Sequence, residues 1–400
     1  MSKKLTRNIT LVYGLAFFQC FMIIVPVIVP FFMSKGLSLA EIFYLQTVYA
    51  ATIVLLEAPS GYIADVFGRR MALLIGSLAH GLGYLYLNVV DDFSQLILFE
   101  ITVGIGGSLL SGADLALLYD TQKALDDQQQ QVHSKGIARL GFVRSLAEGL
   151  GALVGGVLAL KSFEVMVMAQ SLAAWMCVVL ALFVVEPPYR NLGGPVVDMR
   201  IVSILRHLWS SDPVLRQVVI AIPLYSLITF HVAWLVQPYW ESQGVSLAMF
   251  GLLWCSQSLV VAIASQCGFS IERRHGAIFA LTAIGALPIL GHFGMAWTPG
   301  WPGILFGWLI FFSRGLGQVI LVNALNRRIP SEFRATANSL TSFTFRLGFI
   351  STGPLVGYLA DSQGLTTVFN LLGVVSIVIF VLIMMPLMQS VRSLQRQLAV

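Results

Sequence analysis

The sequence predicts an all-α integral membrane protein, with twelve transmembrane helices in two pseudo-symmetric six-helix bundles. Three observations predict it. Apolar residues (AVILMFWYC) make up 57% of the 400 residues and charged residues only 11%, whereas an average soluble domain carries about 45–50% and about 25%. The apolar residues form continuous runs rather than alternating ones, and in hydrocarbon only helices or closed barrels satisfy the backbone. The basic residues, finally, collect in every second connection between those runs. A soluble chain with so few charges could not keep its surface wetted. The composition therefore excludes a soluble enzyme, a nucleic-acid binder and a disordered scaffold.

Spans taken between turn or charge clusters run in order from 8 to 33, 41 to 63, 71 to 90, 94 to 120, 137 to 160 and 164 to 186. A second set runs from 213 to 241, 247 to 270, 277 to 297, 302 to 326, 336 to 360 and 366 to 388. The first follows Met-Ser-Lys-Lys with no small-residue cleavage site, so it reads as a retained span rather than a signal peptide. The second ends at Asp65, Arg69 and Arg70, which also open the third. The sixth stops at Pro187-Pro188 and the seventh starts at Pro213. Residues 1–186 thus form an N-terminal bundle, 187–212 a cytoplasmic linker, 213–388 a C-terminal bundle and 389–400 a tail. In the linker, Ile201, Ile204, Leu205, Leu208 and Trp209 recur at helical spacing beside Arg200 and Arg206, which suits a helix lying on the inner membrane surface.

Orientation follows from the basic residues. Seventeen of the 24 Lys and Arg fall in one set of connections, among them Lys3, Lys4, Arg7, Arg69, Arg70, Arg273, Arg274, Arg327 and Arg328, whereas the opposite set holds only Lys35 and Lys161. The positive-inside rule then puts both termini in the cytoplasm, and a bacterial inner membrane is the expected location. Cys20, Cys177, Cys255 and Cys267 lie inside apolar runs with no CxxC or His spacing, so they read as packing residues, and neither metal nor cofactor is expected.

Internal symmetry supports two halves. Gly36-Leu-Ser-Leu-Ala40 before the second span recurs as Gly244-Val-Ser-Leu-Ala248 before the eighth, 208 residues on. Gly61-Tyr-Ile-Ala-Asp65 recurs as Gly357-Tyr-Leu-Ala-Asp361 on a span of opposite direction, as inverted triplets require.

The loop after the second span reads Gly61-Tyr-Ile-Ala-Asp65-Val-Phe-Gly68-Arg69-Arg70. It resembles the signature of the major facilitator superfamily (MFS), Gly-x-x-x-Asp-Arg/Lys-x-Gly-Arg-Arg/Lys, with Val66 the one departure. The resemblance implies the MFS fold and a latch in which Asp65 and Arg69, with Gly61, Gly68 and Arg70, meet an acid at the inner end of the fourth span. Asp114 and Asp120 are the candidates for that acid. A degraded copy, Gly268-Phe-Ser-Ile-Glu272-Arg273, stands in the second half. Glu100-Ile-Thr-Val-Gly104-Ile-Gly106 places a carboxylate where many relatives carry a membrane-buried Arg, so that role does not carry over. Gly151-Ala-Leu-Val-Gly155-Gly156 in the fifth span is similar to the Gly-Pro-x-x-Gly-Gly of the family's exporters, with Ala152 in place of Pro.

Charges at bilayer depth are costly unless paired or facing water, so each is a candidate for function. At about 1.5 Å per residue, Glu148, Arg314, Arg346, Gln19 and His231 fall near the mid-plane. Glu57 and Asp114 come out about 8–10 Å toward the cytoplasm, and Glu100 a similar distance toward the outside. Partial desolvation favours the neutral form of a carboxylic acid. The expectation is that Glu148, with Glu57 or Glu100, takes up a proton in one orientation and releases it in the other. Arg314, Arg346 and Arg144, with Gln19, His231 and Trp234, are the candidate substrate contacts. Arg144 and Glu148, four apart on one helix face, can alternatively neutralise each other.

The function expected is a secondary active transporter of a small, amphipathic organic molecule, working by alternating access as a proton-coupled efflux antiporter. An uptake symporter of an organic anion or zwitterion remains the alternative, and a lipid-moving or transport-inactive relative a further one. The partners expected are a small-molecule substrate, protons and the lipid bilayer, with no nucleic acid and a monomeric state. No HExxH, GxSxG or His cluster supports an enzyme.

Overall fold

A computed structural model describes residues 2–125, 130–188, 208–209, 212–330 and 333–398, and every regular element among them is helical. The first span is made of α1 (Ser2–Cys20) and α2 (Ile28–Ser34). Then come α3 (Leu39–Val66), α4 (Arg69–Tyr86), α5 (Phe93–Leu110), α6 (Ala113–Leu125), α7 (Gln130–Ala159) and α8 (Phe163–Phe183). The second half contains α9 (Pro213–Ser242), α10 (Leu247–His275), α11 (Ala277–Trp297), α12 (Trp301–Arg328), α13 (Arg334–Gln363), α14 (Leu365–Ile379) and α15 (Met385–Leu398). A π-helical turn, Phe380–Met384, joins the last two.

Helix ends follow local chemistry. Ser38 caps α3 through a reciprocal box with Glu41, satisfying orphan N–H groups at both positions. Asp92 caps α5 by accepting from Gln95, and with the Ser94 hydroxyl also donating to it, its carboxyl is held below the usual range. The turns at Gly36, Gly68, Gly244 and Gly276 all have φ near +75 to +94°, a region open to glycine at no steric cost. Gly36 and Gly244 open the repeated Gly-x-Ser-Leu-Ala, and Gly276 follows Gly68 at the same offset of 208 residues.

Eleven spans among the described residues are long and apolar enough to cross a membrane. The twelfth expected, α13, has ample length at 30 residues, but Thr336, Ser339, Thr341, Ser342, Thr344 and Arg346 make it polar.

Two expected spans are interrupted. The first unwinds between Cys20 and Ile28 apart from one 3-10 turn, where Gln170 Oε1 accepts the N–H groups of Ile23 at 2.6 Å and Ile24 at 3.3 Å. Gln170, Ile23 and Ile24 are all buried, the condition under which open backbone is tolerated at membrane depth. The fourth breaks at Ser111-Gly112, where Gly112 has φ +82°. Continuous apolar character hid both breaks, because the partners that satisfy them are distant in sequence.

The chain divides into two compact units, Met1–Leu192 with Ser246–Cys255, and Gly193–Val245 with Ser256–Val400. The core of the first packs Val12, Ala16, Leu73, Leu117, Cys177 and Ala181. That of the second packs Leu215, Ala221, Ile284, Leu316, Leu321 and Leu325. The amphipathic helix expected in the linker lies outside the described residues except for Leu208 and Trp209, and α15 runs on through position 389 to Leu398.

Candidate functional site

The signature loop lies where α3 hands over to α4. Arg69 Nε donates to Asp120 Oδ2 at 2.9 Å, and its Nη1 lies 3.8 Å from Asp65 Oδ1. Of the two expected acids, Asp120 therefore meets Arg69, and Asp114 is engaged elsewhere. The anchor that sequence reasoning missed is Glu186, whose two carboxylate oxygens accept the backbone N–H groups of Arg69 and Arg70 at 2.9 and 2.7 Å. A carboxylate at a helix N-terminus satisfies orphan donors and complements the helix dipole. Gly68 has φ +94°, and a Cβ there would come within 2.9 Å of the Glu186 carboxyl carbon. Gly61 is exposed, with nothing within 4 Å of a Cβ built on it. Asn8, fully buried, holds Glu186 in register: its amide exchanges hydrogen bonds with the backbone of Val185 at 2.6 and 3.0 Å. The one signal for Glu186 in the sequence was an acid directly before Pro187-Pro188.

Deeper in the first unit, Arg144 Nη2 pairs with Asp114 Oδ2. The Asp114 side chain is 1% exposed and that of Arg144 38%. Arg144 thus makes its close ion pair across helices rather than with Glu148, one turn along α7, which is itself exposed. Cys20, at the end of α1, is within electrostatic range of Arg144, Glu148 and Asp114, so the interrupted first span brings its open end to these three charges. Gln19 is half-buried beside it, and Glu57 is half-buried on α3.

Glu100 is enclosed differently. It is 3% exposed and accepts a hydrogen bond from the buried Gln46 at 2.9 Å. Among the described residues no basic group lies within ion-pair distance of it.

The glycines of α7 meet the unwound stretch of the first span. A Cβ on Gly151 would lie 2.9 Å from Met22 N, and one on Gly155 would overlap the Ile23 carbonyl oxygen. Inside the same unit, Gly156 faces Gly251 of α10, its Cβ position 2.9 Å from the Gly251 Cα. Gly106 packs against the α4 backbone, 2.9 Å from His80 N by the same measure, which fits a helix-packing role.

In the second unit, Arg314 lies over the Phe230 ring at 5.6 Å, and Phe230 meets Phe345 and Phe349 edge-on at 5.3 and 5.0 Å. One ring thereby links α9, α12 and α13. Next to it is a cleft of about 50 Å³ lined by Tyr225, Ser226, Thr229, Ser313, Arg314 and Gln318 among others. His231 is 2% exposed, with Nδ1 2.8 Å from the Leu227 carbonyl and Nε2 3.1 Å from the Thr352 hydroxyl. Both of its ring nitrogens are thus engaged, Nδ1 within α9 and Nε2 in tying α9 to α13. The Trp234 indole N–H and Arg346 Nε are buried without a hydrogen-bond partner among the described residues. Among those residues no group of His, Cys, Asp and Glu is arranged to hold a metal.

Comparison with known proteins places these features in a family. The sequence model of the Major Facilitator Superfamily matches residues 9–328. The chain belongs to this superfamily: it is a multi-pass membrane transporter and not an enzyme. It is 18% identical over 392 residues to an uncharacterized MFS-type transporter of Methanocaldococcus jannaschii, covering 94% of this chain and 97% of that one. It is 32% identical over 98 residues to a lincomycin resistance protein of Streptomyces lincolnensis, a stretch that is 24% of this chain and 19% of the relative. In fold it is similar to the nucleoside transporter NupG (TM-score 0.75, 12% identity, 97% of this chain and 98% of that chain). It is similar also to a bacterial homologue of the human lysosomal transporter Spinster (TM-score 0.73, 14% identity, 99% and 98%).

Proposed function

We propose that this chain is a proton-coupled secondary transporter that moves a small amphipathic organic molecule outward by alternating access, in exchange for protons. The observation that carries the coupling is Glu100, a carboxyl 3% exposed and held by the neutral Gln46. A buried carboxylate without a cation costs several kcal/mol, on the order of 3–5 when a pair is broken. A proton is the least expensive counter-charge available to it. Glu148 and Glu57, exposed on α7 and half-buried on α3 of the same unit, are the further acids that pass protons to or from solvent. The outward direction is supported by the lincomycin resistance relative and by the exporter-like glycines of α7.

In this reading Arg314 and Arg346 contact the substrate. Asp65, Arg69, Asp120 and Glu186 latch the cytoplasmic helix ends of the first unit, with Gly61, Gly68 and Arg70 shaping the loop. Asp114 joins Arg144 rather than the latch, and His231 supports the helix pair that carries Phe230. The protein acts as a monomer in a bacterial inner membrane with both termini in the cytoplasm.

The test is transport by the full chain in proteoliposomes with an imposed pH gradient, over chemically diverse compounds. Movement against the proton gradient supports antiport, and movement with it supports the uptake symport of an organic anion or zwitterion instead. Glu100→Gln should keep solute exchange at zero gradient and lose pH-driven accumulation. Full pH-driven accumulation in Glu100→Gln and Glu148→Gln alike sinks the coupling assignment. No solute moved under any gradient would point to a lipid-moving or inactive protein.

A further inference from the structure

The last span of the second unit does not stop at the edge of the hydrocarbon. From Leu365 to Gln397 it is 33 residues long, about 50 Å of helix at about 1.5 Å per residue, against an apolar core about 30 Å thick. Its side chains mark where that core ends. Leu382 and Met385 are apolar and exposed, and the next exposed residues, Gln389 and Arg392, are polar. A boundary between Met385 and Gln389 puts Arg392 about 5–10 Å beyond it, in a headgroup layer about 5–8 Å deep on each side. Each Cα–Cβ bond tilts toward the N-terminus of its helix, which for α15 is the side of the bilayer. The Arg392 and Arg396 side chains therefore lean back toward the headgroups.

The other face of α15 holds it to the unit. Leu387 and Met388 are buried in the core, Val391 and Ile278 of α11 pack against that same core, and the Thr282 hydroxyl of α11 lies 3.3 Å from Met388 Sδ. With three reversals of the chain between them, α11 and α15 run in opposite directions. From Thr282 back to His275 is about 10 Å of rise, and from Met388 on to Arg396 about 12 Å the same way. The turn after α10 thus stands level with Arg392 and Arg396. There Arg273 and Arg274 are exposed, and the exposed rings of Phe269 and Phe279 on either side mark the same boundary.

None of these four arginines has an acid within ion-pair distance among the described residues, whereas Arg69 meets Asp120 and Arg328 meets Asp212. The one acid in residues 269–279 and 385–398 is Glu272, which is half-buried. Water satisfies an exposed arginine, so charge alone specifies nothing. The specification comes from depth and grouping: four guanidinium groups at headgroup level, two of them on a helix whose opposite face is fixed in the core. A guanidinium fork matches phosphate geometry, and each basic residue near an anionic surface strengthens attraction about fivefold.

We infer that this edge of the second unit, formed by α15 and the turn from α10 to α11, docks the phosphate of an anionic phospholipid such as phosphatidylglycerol. The acyl chains of that lipid lie along the exposed Leu382 and Met385. The site is independent of the solute transported and of the face of the membrane on which it lies.

The test is native mass spectrometry of the purified full chain, titrated with phosphatidylglycerol and phosphatidylcholine of equal acyl chains, with soluble glycerophosphoglycerol as competitor. Phosphatidylglycerol should bind at least fivefold more tightly than phosphatidylcholine. Arg392→Gln/Arg396→Gln and Arg273→Gln/Arg274→Gln should each weaken phosphatidylglycerol at least fivefold, and Arg392→Lys/Arg396→Lys should keep most of the preference. Unfolding midpoints in lipid-free detergent should not change, because all four side chains are exposed. Lys3→Gln/Lys4→Gln, which removes the same charge from exposed positions on α1 of the first unit, should leave the preference as it was. An equal loss in that control overturns the inference in favour of diffuse attraction to basic residues. So does the lack of any preference in the unmodified chain, or a preference that survives either arginine-to-glutamine pair. Displacement of the lipid by an equal concentration of glycerophosphoglycerol overturns it in favour of a site for free phosphate esters.

Discussion

Glu186 Oε1 accepts the backbone N–H of Arg69 at 2.9 Å, so the end of the sixth span caps the start of the third. The second carboxylate oxygen takes the N–H of Arg70, and the Arg69 side chain reaches Asp120. Three helix ends are joined through one residue of the signature. Replacing a capping side chain by Ala costs about 0.5–2 kcal/mol, with a dipole contribution of about 0.3–1 kcal/mol. Glu186→Ala should therefore lower stability by about 1–2 kcal/mol, and Glu186→Gln by less because an acceptor remains. Thermal unfolding of the purified protein in detergent measures both, and a Gln variant worse than Ala contradicts the capping account.

Gly68→Ala meets two obstacles, a φ of +94° and a Cβ position 2.9 Å from the Glu186 carboxyl carbon. Left-handed backbone at a residue other than glycine costs about 1–3 kcal/mol. The double variant Gly68→Ala/Glu186→Ala should lose less than the sum of the two single changes, because the clash disappears with the carboxylate. Strict additivity in the unfolding midpoints would show that the contact carries no energy.

In α7, Gly155→Ala places a methyl group against the Ile23 carbonyl, and overpacking of this kind costs about 1–3 kcal/mol. Gly141→Ala, on the same helix with nothing within 4 Å, should be neutral or stabilising by up to about 0.5–1 kcal/mol. Opposite signs in the two unfolding midpoints are the expected result. A tolerated Gly155→Ala would mean that the interrupted first span can move away from α7.

Removing one member of the Asp114–Arg144 pair should be costly on one side only. Arg144→Gln leaves Asp114, 1% exposed, without its cation, which costs on the order of 3–5 kcal/mol. Asp114→Asn leaves Arg144, 38% exposed, able to reach water and costs less. Adding Asp114→Asn to Arg144→Gln should then restore stability, read as a double-mutant cycle. A double variant no more stable than Arg144→Gln alone rules out the pair as the source of the loss.

Much of the architecture was legible because it depends on local composition. Apolar runs, proline stops and basic clusters located most helix ends to within a few residues, the starts of α1 and α7 and the end of α15 falling six to ten residues beyond them, and the repeated Gly-x-Ser-Leu-Ala announced the matched turns at Gly36 and Gly244. The breaks at residues 21–27 and at Gly112 were not legible. An apolar run reads as one helix whether or not a remote Gln170 takes over two of its backbone donors. The ion pairs were legible only as inventories. Spacing on one helix offered Glu148 as an alternative partner for Arg144, and the fold pairs Arg144 with Asp114 on another. His231 illustrates the same limit: its depth suggested a substrate contact, whereas Thr352 on α13 and its own helix engage both ring nitrogens.

What the sequence by itself determined was the solvent of this protein and its family. Hydrocarbon admits few backbone solutions, so a chain with 11% charged residues had to fold as a bundle of apolar helices, and the ten-residue signature from Gly61 to Arg70 said which bundle. Only the tertiary structure decided the partners of the buried charges. It assigned Asp120 and Glu186 to Arg69, Asp114 to Arg144, Gln46 to Glu100 and the Phe230 ring to Arg314. The physical reason is that the location of a span depends on summed hydrophobicity along the chain. A buried charge is instead stabilised by one or two groups within about 4 Å, and helix packing brings those groups together from positions up to 117 residues apart.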